Sequence, residues 1–206
     1  MISLDDWLLF LALSVVAAAT PGPGNLTVVA ASASAGIEKG LAVIVGILAG
    51  LLSLSLLAVL GFNAVLQASA DLFRGLQYAG ALYIGVLGVR MLLRRERIES
   101  PDRPPASGGQ QRFFLRGMLV SMANPKSIGF FAALLPPFID PGGNVALQYV
   151  VLVATQLAAA FAVLLLYCLS TRKLSPWIAR HETAFNKTTG GLFVGMATYF
   201  AWPGRL

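Results

Sequence analysis

Two short stretches combine helix-breaking residues with polar groups that could bind a ligand. Thr20-Pro-Gly-Pro-Gly-Asn25 removes two backbone donors at its prolines and loosens the chain at its glycines. Asn124-Pro-Lys126 places one proline between an amide and a lysine. Each stretch interrupts a long apolar segment, so each is predicted to be a break within a membrane helix. Unwound backbone at that depth is tolerated only inside protein or beside a wet cavity.

The second break holds the one lysine predicted to lie deep in a span. A lysine near the middle of a membrane helix costs about 2.5–3.5 kcal/mol, so it normally marks a pathway or a ligand. A helix that restarts after a break presents free N–H groups and the positive end of its dipole. Our hypothesis is that Lys126 and these donors hold a substrate carboxylate. The alternative is that Lys126 satisfies carbonyl groups of the broken first helix and touches no ligand.

Further polar residues are predicted within the spans. Gln156 is placed in the fifth and Tyr83 in the third, where each could line a cavity or form an interhelical hydrogen bond. The candidate substrate-binding residues are Thr20, Pro21, Gly22, Pro23, Gly24, Asn25, Asn124, Pro125, Lys126, Gln156 and Tyr83.

The elements that position these residues follow from composition. Apolar residues make up 57% of the 206-residue chain and charged residues 12%, against about 45–50% and about 25% in soluble domains. A soluble protein could not bury that much apolar surface, so we expect an all-α polytopic membrane protein. Six segments have spanning length: Trp7–Ala35, Leu41–Leu66, Gly75–Leu93, Phe113–Ile139, Val145–Leu169 and Thr188–Gly204.

The distribution of basic residues predicts the orientation. Twelve of the fifteen fall on one side of the predicted spans, so the positive-inside bias places both termini outside the cytoplasm. The twelve are Lys39, Arg90, Arg94, Arg95, Arg97, Arg103, Arg112, Arg116, Arg172, Lys173, Arg180 and Lys187. The same reading removes the case for a nucleic-acid partner. Because Asp5 and Asp6 precede the first apolar run, we interpret that run as a retained span and not as a signal peptide.

The chain also divides into two similar halves. A Pro/Ser/Gly-rich cytoplasmic linker at residues 96–112 separates three spans in residues 1–95 from three in residues 113–206. An odd number of spans per half predicts two inverted-topology repeats with broken first and fourth helices, and a binding site at their interface. Gly46 with Gly50, and Gly191 with Gly195, could serve packing within the bundle or a homodimer.

Several kinds of chemistry are poorly supported. Cys168 is the one cysteine and His181 the one histidine, so no disulfide framework or metal site is expected. No phosphate-binding loop, zinc-protease motif or serine-nucleophile motif is present. We therefore expect no cofactor and no enzymatic activity. All acidic residues fall in predicted loops or at span ends, which leaves no obvious buried proton carrier.

The chain resembles the lysine exporter and homoserine/threonine resistance family of bacterial amino-acid efflux proteins. The matching stretches are Thr20–Asn25, Gly80–Gly85, Phe114–Gly117, Asn124–Lys126, Leu135–Pro141 and Gly190–Gly195. The resemblance implies a six-helix inner-membrane exporter of substrates such as threonine, homoserine, lysine or arginine, driven by the proton gradient. It also implies that the two break motifs are the functional elements.

Two rival functions remain at this point. A metal or other cation exporter of the same superfamily fits the fold, but Cys, His, Asp and Glu ligands at membrane depth are nearly missing. A non-transporting membrane scaffold accounts for the spans but not for a lysine and helix-breaking residues at that depth.

Overall fold

The computed structural model describes residues 2–68, 70–93, 109–170, 183–184, 187–195 and 197–198. Within these ranges the chain is helical and contains no strand, which agrees with the all-α prediction. Most of the predicted linker, most of the loop after the fifth predicted span and the end of the sixth lie outside the described residues. The helices are α1 (Leu4–Ala19), α2 (Pro23–Ala35), α3 (Ile37–Ala68), α4 (Ala70–Leu93), α5 (Gln110–Ala123), α6 (Pro125–Gly129) and α7 (Val145–Leu169).

The first break lies where the sequence predicts it. Helix α1 begins at a capping serine, Ser3, whose Oγ accepts from the Asp6 amide at 3.1 Å. It ends at Ala19 because Thr20 is extended. Helix α2 restarts with Pro23 in its first turn, where a missing N–H costs nothing. The two helices are bent by 54°.

The second break follows the same local rule. Asn124 is extended and its Oδ1 accepts from the Lys126 amide at 3.0 Å, so it caps α6. Pro125 again occupies the first turn. The helix continues as a π-helical turn at Phe130–Leu134 and a 3₁₀ turn at Pro136–Phe138. The segment Pro125–Phe138 is bent by 58° from α5.

Two helical segments are long and apolar enough to cross a bilayer alone, Ile37–Gly61 and Val145–Leu169. If each bent pair forms one span, the described residues hold up to four. Helix α7 has the bounds predicted for the fifth span. At the third predicted span lies α4, 24 residues long and less uniformly apolar. Residues 188–195 of the sixth predicted span are helical.

Several helix ends differ from the predicted spans, and one of them lies within the predicted linker. Helix α5 begins at Gln110, three residues before the predicted start of the second repeat. Gln and Arg are good helix formers, and Gly109 caps the helix in an extended conformation. The predicted linker extends into α5 because the prediction was based on polarity, and polarity does not distinguish a loop from the first turn of a helix.

Glycines bring α3 and α5 into backbone contact. A Cβ on Gly46 would lie 2.0 Å from the Phe114 carbonyl oxygen, and one on Gly117 would lie 2.2 Å from the Val43 carbonyl oxygen. Gly50 meets α5 one turn further along. For this glycine pair the structure therefore supports the first alternative, packing within the bundle.

A second glycine contact joins α4 to the helical residues 187–195. A Cβ on Gly88 would lie 2.7 Å from the Gly190 carbonyl oxygen, and the reverse distance is the same. Gly191 and Gly195, the predicted pair, have no described neighbour within 4 Å of a built Cβ. The close contact thus uses the neighbouring glycine.

The interior and the outer surface are both apolar, as in a membrane protein. Phe10 of α1 packs edge-to-face on Phe130 and Phe138, with ring centroids 5.7 and 5.1 Å apart. Large apolar side chains also face outward, including Leu60 at 66% and Leu119 at 65% exposure. Lipid tails can cover such a surface, whereas in water it would promote aggregation.

Candidate functional site at the two helix breaks

Lys126 joins the second break to the first. Its Nζ donates to the carbonyl oxygens of Ala17 at 2.9 Å and Thr20 at 3.0 Å. The end of α1 leaves these carbonyl groups without helical donors, so the lysine satisfies them. These are the contacts expected under the alternative for Lys126. A protonated lysine has three donors, and two such bonds leave one N–H for a further partner.

The intervening carbonyl groups of α1 also receive side-chain donors. Asn25 Nδ2 donates to the Ala18 carbonyl oxygen at 2.8 Å, and the Tyr167 hydroxyl donates to that of Ala19 at 2.7 Å. The carbonyl groups of residues 17 to 20 are therefore paired by residues of α2, α6 and α7. Such pairing is what unwound backbone within a membrane span requires.

A cavity of about 60 Å³ lies beside the breaks. Helices α1, α2, α3, α5, α6 and α7 contribute to its wall, which is largely apolar at Ile47, Leu51, Phe130 and Leu164. The polar lining residues are Asn25, Ser121, Asn124, Lys126, Ser127 and Gln156.

The electrostatics of the cavity favour an anionic group. Lys126 supplies a positive charge, and Gly24 and Asn25 belong to the first turn of α2, whose N-cap Gly22 provides no side-chain acceptor. First-turn N–H groups have no intrahelical partner and carry the positive end of the dipole. The residues lining the cavity include no aspartate or glutamate. A carboxylate placed here would be stabilised.

The structure brings together five of the predicted site residues. Gly24, Asn25, Asn124, Lys126 and Gln156 all line the cavity. Residues of both predicted halves thus meet at one cavity.

The other predicted site residues do not line the cavity. Pro21, Gly22, Pro23 and Pro125 form the backbone of the breaks, and a Cβ on Gly22 would lie 3.4 Å from the Nζ of Lys126.

Thr20 and Tyr83, also predicted site residues, make interhelical hydrogen bonds. The Thr20 hydroxyl donates to the Val16 carbonyl oxygen and contacts the Thr189 hydroxyl. The Tyr83 hydroxyl donates to the Pro125 carbonyl oxygen at 3.0 Å.

Sequence reasoning missed four residues of this region. Ser121 and Ser127 line the cavity, and Tyr167 and Thr189 bond the first break. Ser121 could have been found, because it lies three residues before Asn124 and so shares its helical face. Tyr167 and Thr189 are distant in sequence, and no local pattern indicates their partners.

Comparison with known proteins now assigns the chain to a family. The profile of the LysE type translocators matches residues 15–204, a range that includes both breaks and every cavity residue. The chain belongs to the LysE type translocator family. The resemblance noted from the break motifs is thereby confirmed, and this translocator is a membrane protein.

Relatives of this translocator cover nearly its whole length. It is 35% identical over 190 residues to an uncharacterized membrane protein of Pseudomonas aeruginosa, covering 88% of each chain. It is 30% identical over 194 residues to a homoserine/homoserine lactone efflux protein of Salmonella typhimurium, covering 93% of this chain and 94% of the relative. An uncharacterized membrane protein of Vibrio cholerae is 30% identical over 198 residues. No solved structure matches the translocator.

Proposed function

We propose that this translocator is a secondary active exporter of amino acids or closely related small metabolites across the bacterial inner membrane, driven by the proton gradient. The cavity at the two breaks carries the proposal, because it combines a lysine ammonium, a helix N-terminus and neutral polar groups at membrane depth. The efflux function named for the Salmonella relative points the same way. The proton gradient as energy source rests on the family resemblance.

In this proposal the substrate carboxylate binds at Lys126. The third N–H of its ammonium and the first-turn N–H groups of α2 are the donors. Gly24, Asn25, Asn124 and Gln156 complete the wall. Thr20, Pro21, Gly22, Pro23, Pro125 and Tyr83 shape the breaks on which these residues stand.

The proposal includes six spans arranged as two inverted repeats. Reciprocal contacts between the two halves support this arrangement. Tyr83 of the first half bonds the second break at Pro125, while Thr189 of the second half bonds the first break at Thr20. In the same way α3 packs on α5 and α7 packs on α1. We further propose that both termini lie outside the cytoplasm, which a phosphatase fusion active at each terminus would test.

The rival functions fit the cavity less well. The Lys126 ammonium repels a metal cation, and within the described ranges no three His, Cys, Asp or Glu residues are grouped as ligands. A scaffold gives no reason for a polar cavity beside two broken helices.

A toxicity panel tests the proposed function. Cells lacking the protein should become sensitive to an excess of one amino acid or dipeptide, and overproduction should protect them. Counterflow in proteoliposomes at two pH values should then show exchange of that amino acid and its dependence on the proton gradient. A uniform response to all amino acids, with altered metal tolerance instead, would favour the cation exporter.

A further inference from the structure

Two buried polar atoms in the cavity have no hydrogen-bond partner. Ser121 is 2% exposed and Gln156 is 5% exposed. Neither the Oγ of Ser121 nor the Oε1 of Gln156 has a partner within the described part of the chain. Ser121 comes from α5 and Gln156 from α7, so two helices present unpaired oxygens to one cavity.

Unpaired oxygens are unusual in so well satisfied a region. Most buried polar groups in proteins are hydrogen-bonded, and around the breaks Asn25, Asn124, Lys126 and Tyr167 all are. The Oγ of Ser14 on α1, which does not line the cavity, is unpaired within the described residues; among the residues that line the cavity, the exceptions are Ser121 and Gln156. We infer that their partner enters the cavity and is not part of the resting protein.

The chemistry of these oxygens identifies the complementary group. The Gln156 Oε1 accepts hydrogen bonds only, and the Ser121 Oγ has lone pairs that accept. Lys126 and the N-terminus of α2 already supply donors for an anion. We propose that Gln156 and Ser121 accept hydrogen bonds from the α-ammonium group of the substrate. This proposal rests on the proposed function and adds the acceptors for the substrate's ammonium group to the donors for its carboxylate.

Charge and volume then limit the substrate class. A zwitterionic amino acid carries no net charge. It can place its carboxylate at the Lys126 donors and its ammonium at the neutral acceptor Gln156. The second positive charge of lysine or arginine would meet the Lys126 ammonium, and the lining residues hold no carboxylate to offset it. The 60 Å³ cavity corresponds to only about four to six water-sized spheres. The site therefore takes small amino acids with uncharged side chains.

Counterflow in proteoliposomes tests the assignment. L-Homoserine and L-threonine are the labelled substrates, and N-acetyl-L-homoserine and L-lysine are the competitors. Wild-type protein should exchange at least one labelled substrate, and both competitors should bind at least about tenfold more weakly, the scale of one hydrogen bond to a charged group. Gln156→Leu should weaken binding by about 10- to 100-fold and remove the discrimination against the N-acetyl compound. Ser121→Ala should show a smaller shift in the same direction.

Two further variants keep the test specific. Gln156→Glu retains the acceptor and should retain exchange, whereas it would repel a carboxylate. Thr155→Val is the matched control, because Thr155 neighbours Gln156 but bonds Trp7 and does not line the cavity. It should leave the discrimination unchanged. Yield and thermal unfolding of each variant show whether it folds.

Each contrary result has a distinct meaning. Gln156→Leu with wild-type affinity and discrimination would overturn the assignment and mean that the oxygens bind only water. Loss of exchange in Gln156→Glu would show that the amide donates to the carboxylate, which also overturns it. Exchange of L-lysine alone would overturn the substrate class but keep the proposed function. A wild-type protein that exchanges no amino acid would contradict the proposed function itself.

Discussion

The Nζ of Lys126 and the carbonyl oxygen of Ala17 lie 2.9 Å apart, although 109 residues separate them in the chain. This bond and its companion to Thr20 link the first broken helix directly to the second. The lysine is therefore a structural partner of one half and a candidate ligand of the substrate at once. Its substitution should affect both stability and transport.

Lys126→Met should lower the thermal unfolding midpoint and abolish exchange. The Ala17 and Thr20 carbonyl groups would lose their donor, at about 1–3 kcal/mol for each group left unpaired. Lys126→Arg retains donors and charge, so it should unfold closer to wild type but bind substrate with altered apparent affinity. Circular dichroism in detergent and counterflow measure the two effects. Lys187→Met at an exposed position is the control, and wild-type apparent affinity in both Lys126 variants would exclude the ligand role.

Gly117→Ala should strongly reduce the yield of folded protein. Its Cβ would lie 2.2 Å from the Val43 carbonyl oxygen, so α5 would have to move away from α3. Overpacking of this kind costs about 1–3 kcal/mol or more. The measurement is the fraction of monodisperse protein after extraction. Gly61→Ala on α3 has no described neighbour within 4 Å and should be neutral or slightly stabilising; equal loss in both variants would contradict the backbone contact.

Tyr167→Phe should destabilise the first break. The Ala19 carbonyl oxygen would lose the hydroxyl that donates to it at 2.7 Å, and hydrogen bonds between membrane helices contribute about 0.6–2 kcal/mol. We expect a lower thermal midpoint with little change in substrate discrimination, because Tyr167 does not line the cavity. Tyr78→Phe, at a side chain that is 47% exposed, should have no effect. If the two tyrosine variants unfold alike, the hydroxyl at the break is not stabilising.

Gly36→Ala should lower stability by about 1–3 kcal/mol for a purely conformational reason. Gly36 ends α2 with φ of 90°, which L-residues with a Cβ avoid. A Cβ there would meet no described atom within 4 Å, so steric clash is not the cause. Denaturant unfolding measures the change. Gly75→Ala, within α4 and also without a described neighbour within 4 Å, should instead be neutral or stabilising, and the opposite ranking would refute the argument.

The sequence predicted the breaks better than their partners. Proline and glycine act locally, so their positions alone placed the ends of α1, α2 and α5 within a few residues. The uncharged run at Val145–Leu169 similarly gave α7 with its observed bounds. These features depend on neighbours in the chain and on hydrocarbon thickness, both of which can be read from sequence.

The tertiary contacts of these residues could be predicted less well from the sequence. Lys126 was recognised as significant because a buried charge is costly, yet its bonds to Ala17 and Thr20 were expected only as an alternative. Tyr167 was not singled out, since one tyrosine near a span end resembles any interfacial aromatic residue. The packing role was expected for Gly191 with Gly195, whereas the close contact with Gly88 is made by the adjacent Gly190. One residue along a helix turns a contact by about 100°, and composition does not fix that rotation.

The glycine contact between α3 and α5 has a mechanical consequence. Packed helices slide past one another by changing side-chain rotamers in the layer between them. Where Gly46 and Gly117 bring two backbones together, there is no such layer to rearrange. We therefore expect α3 and α5 to move as one rigid body. Any rearrangement that exposes the cavity to the opposite side of the membrane would then have to bend the chain where its backbone is already interrupted.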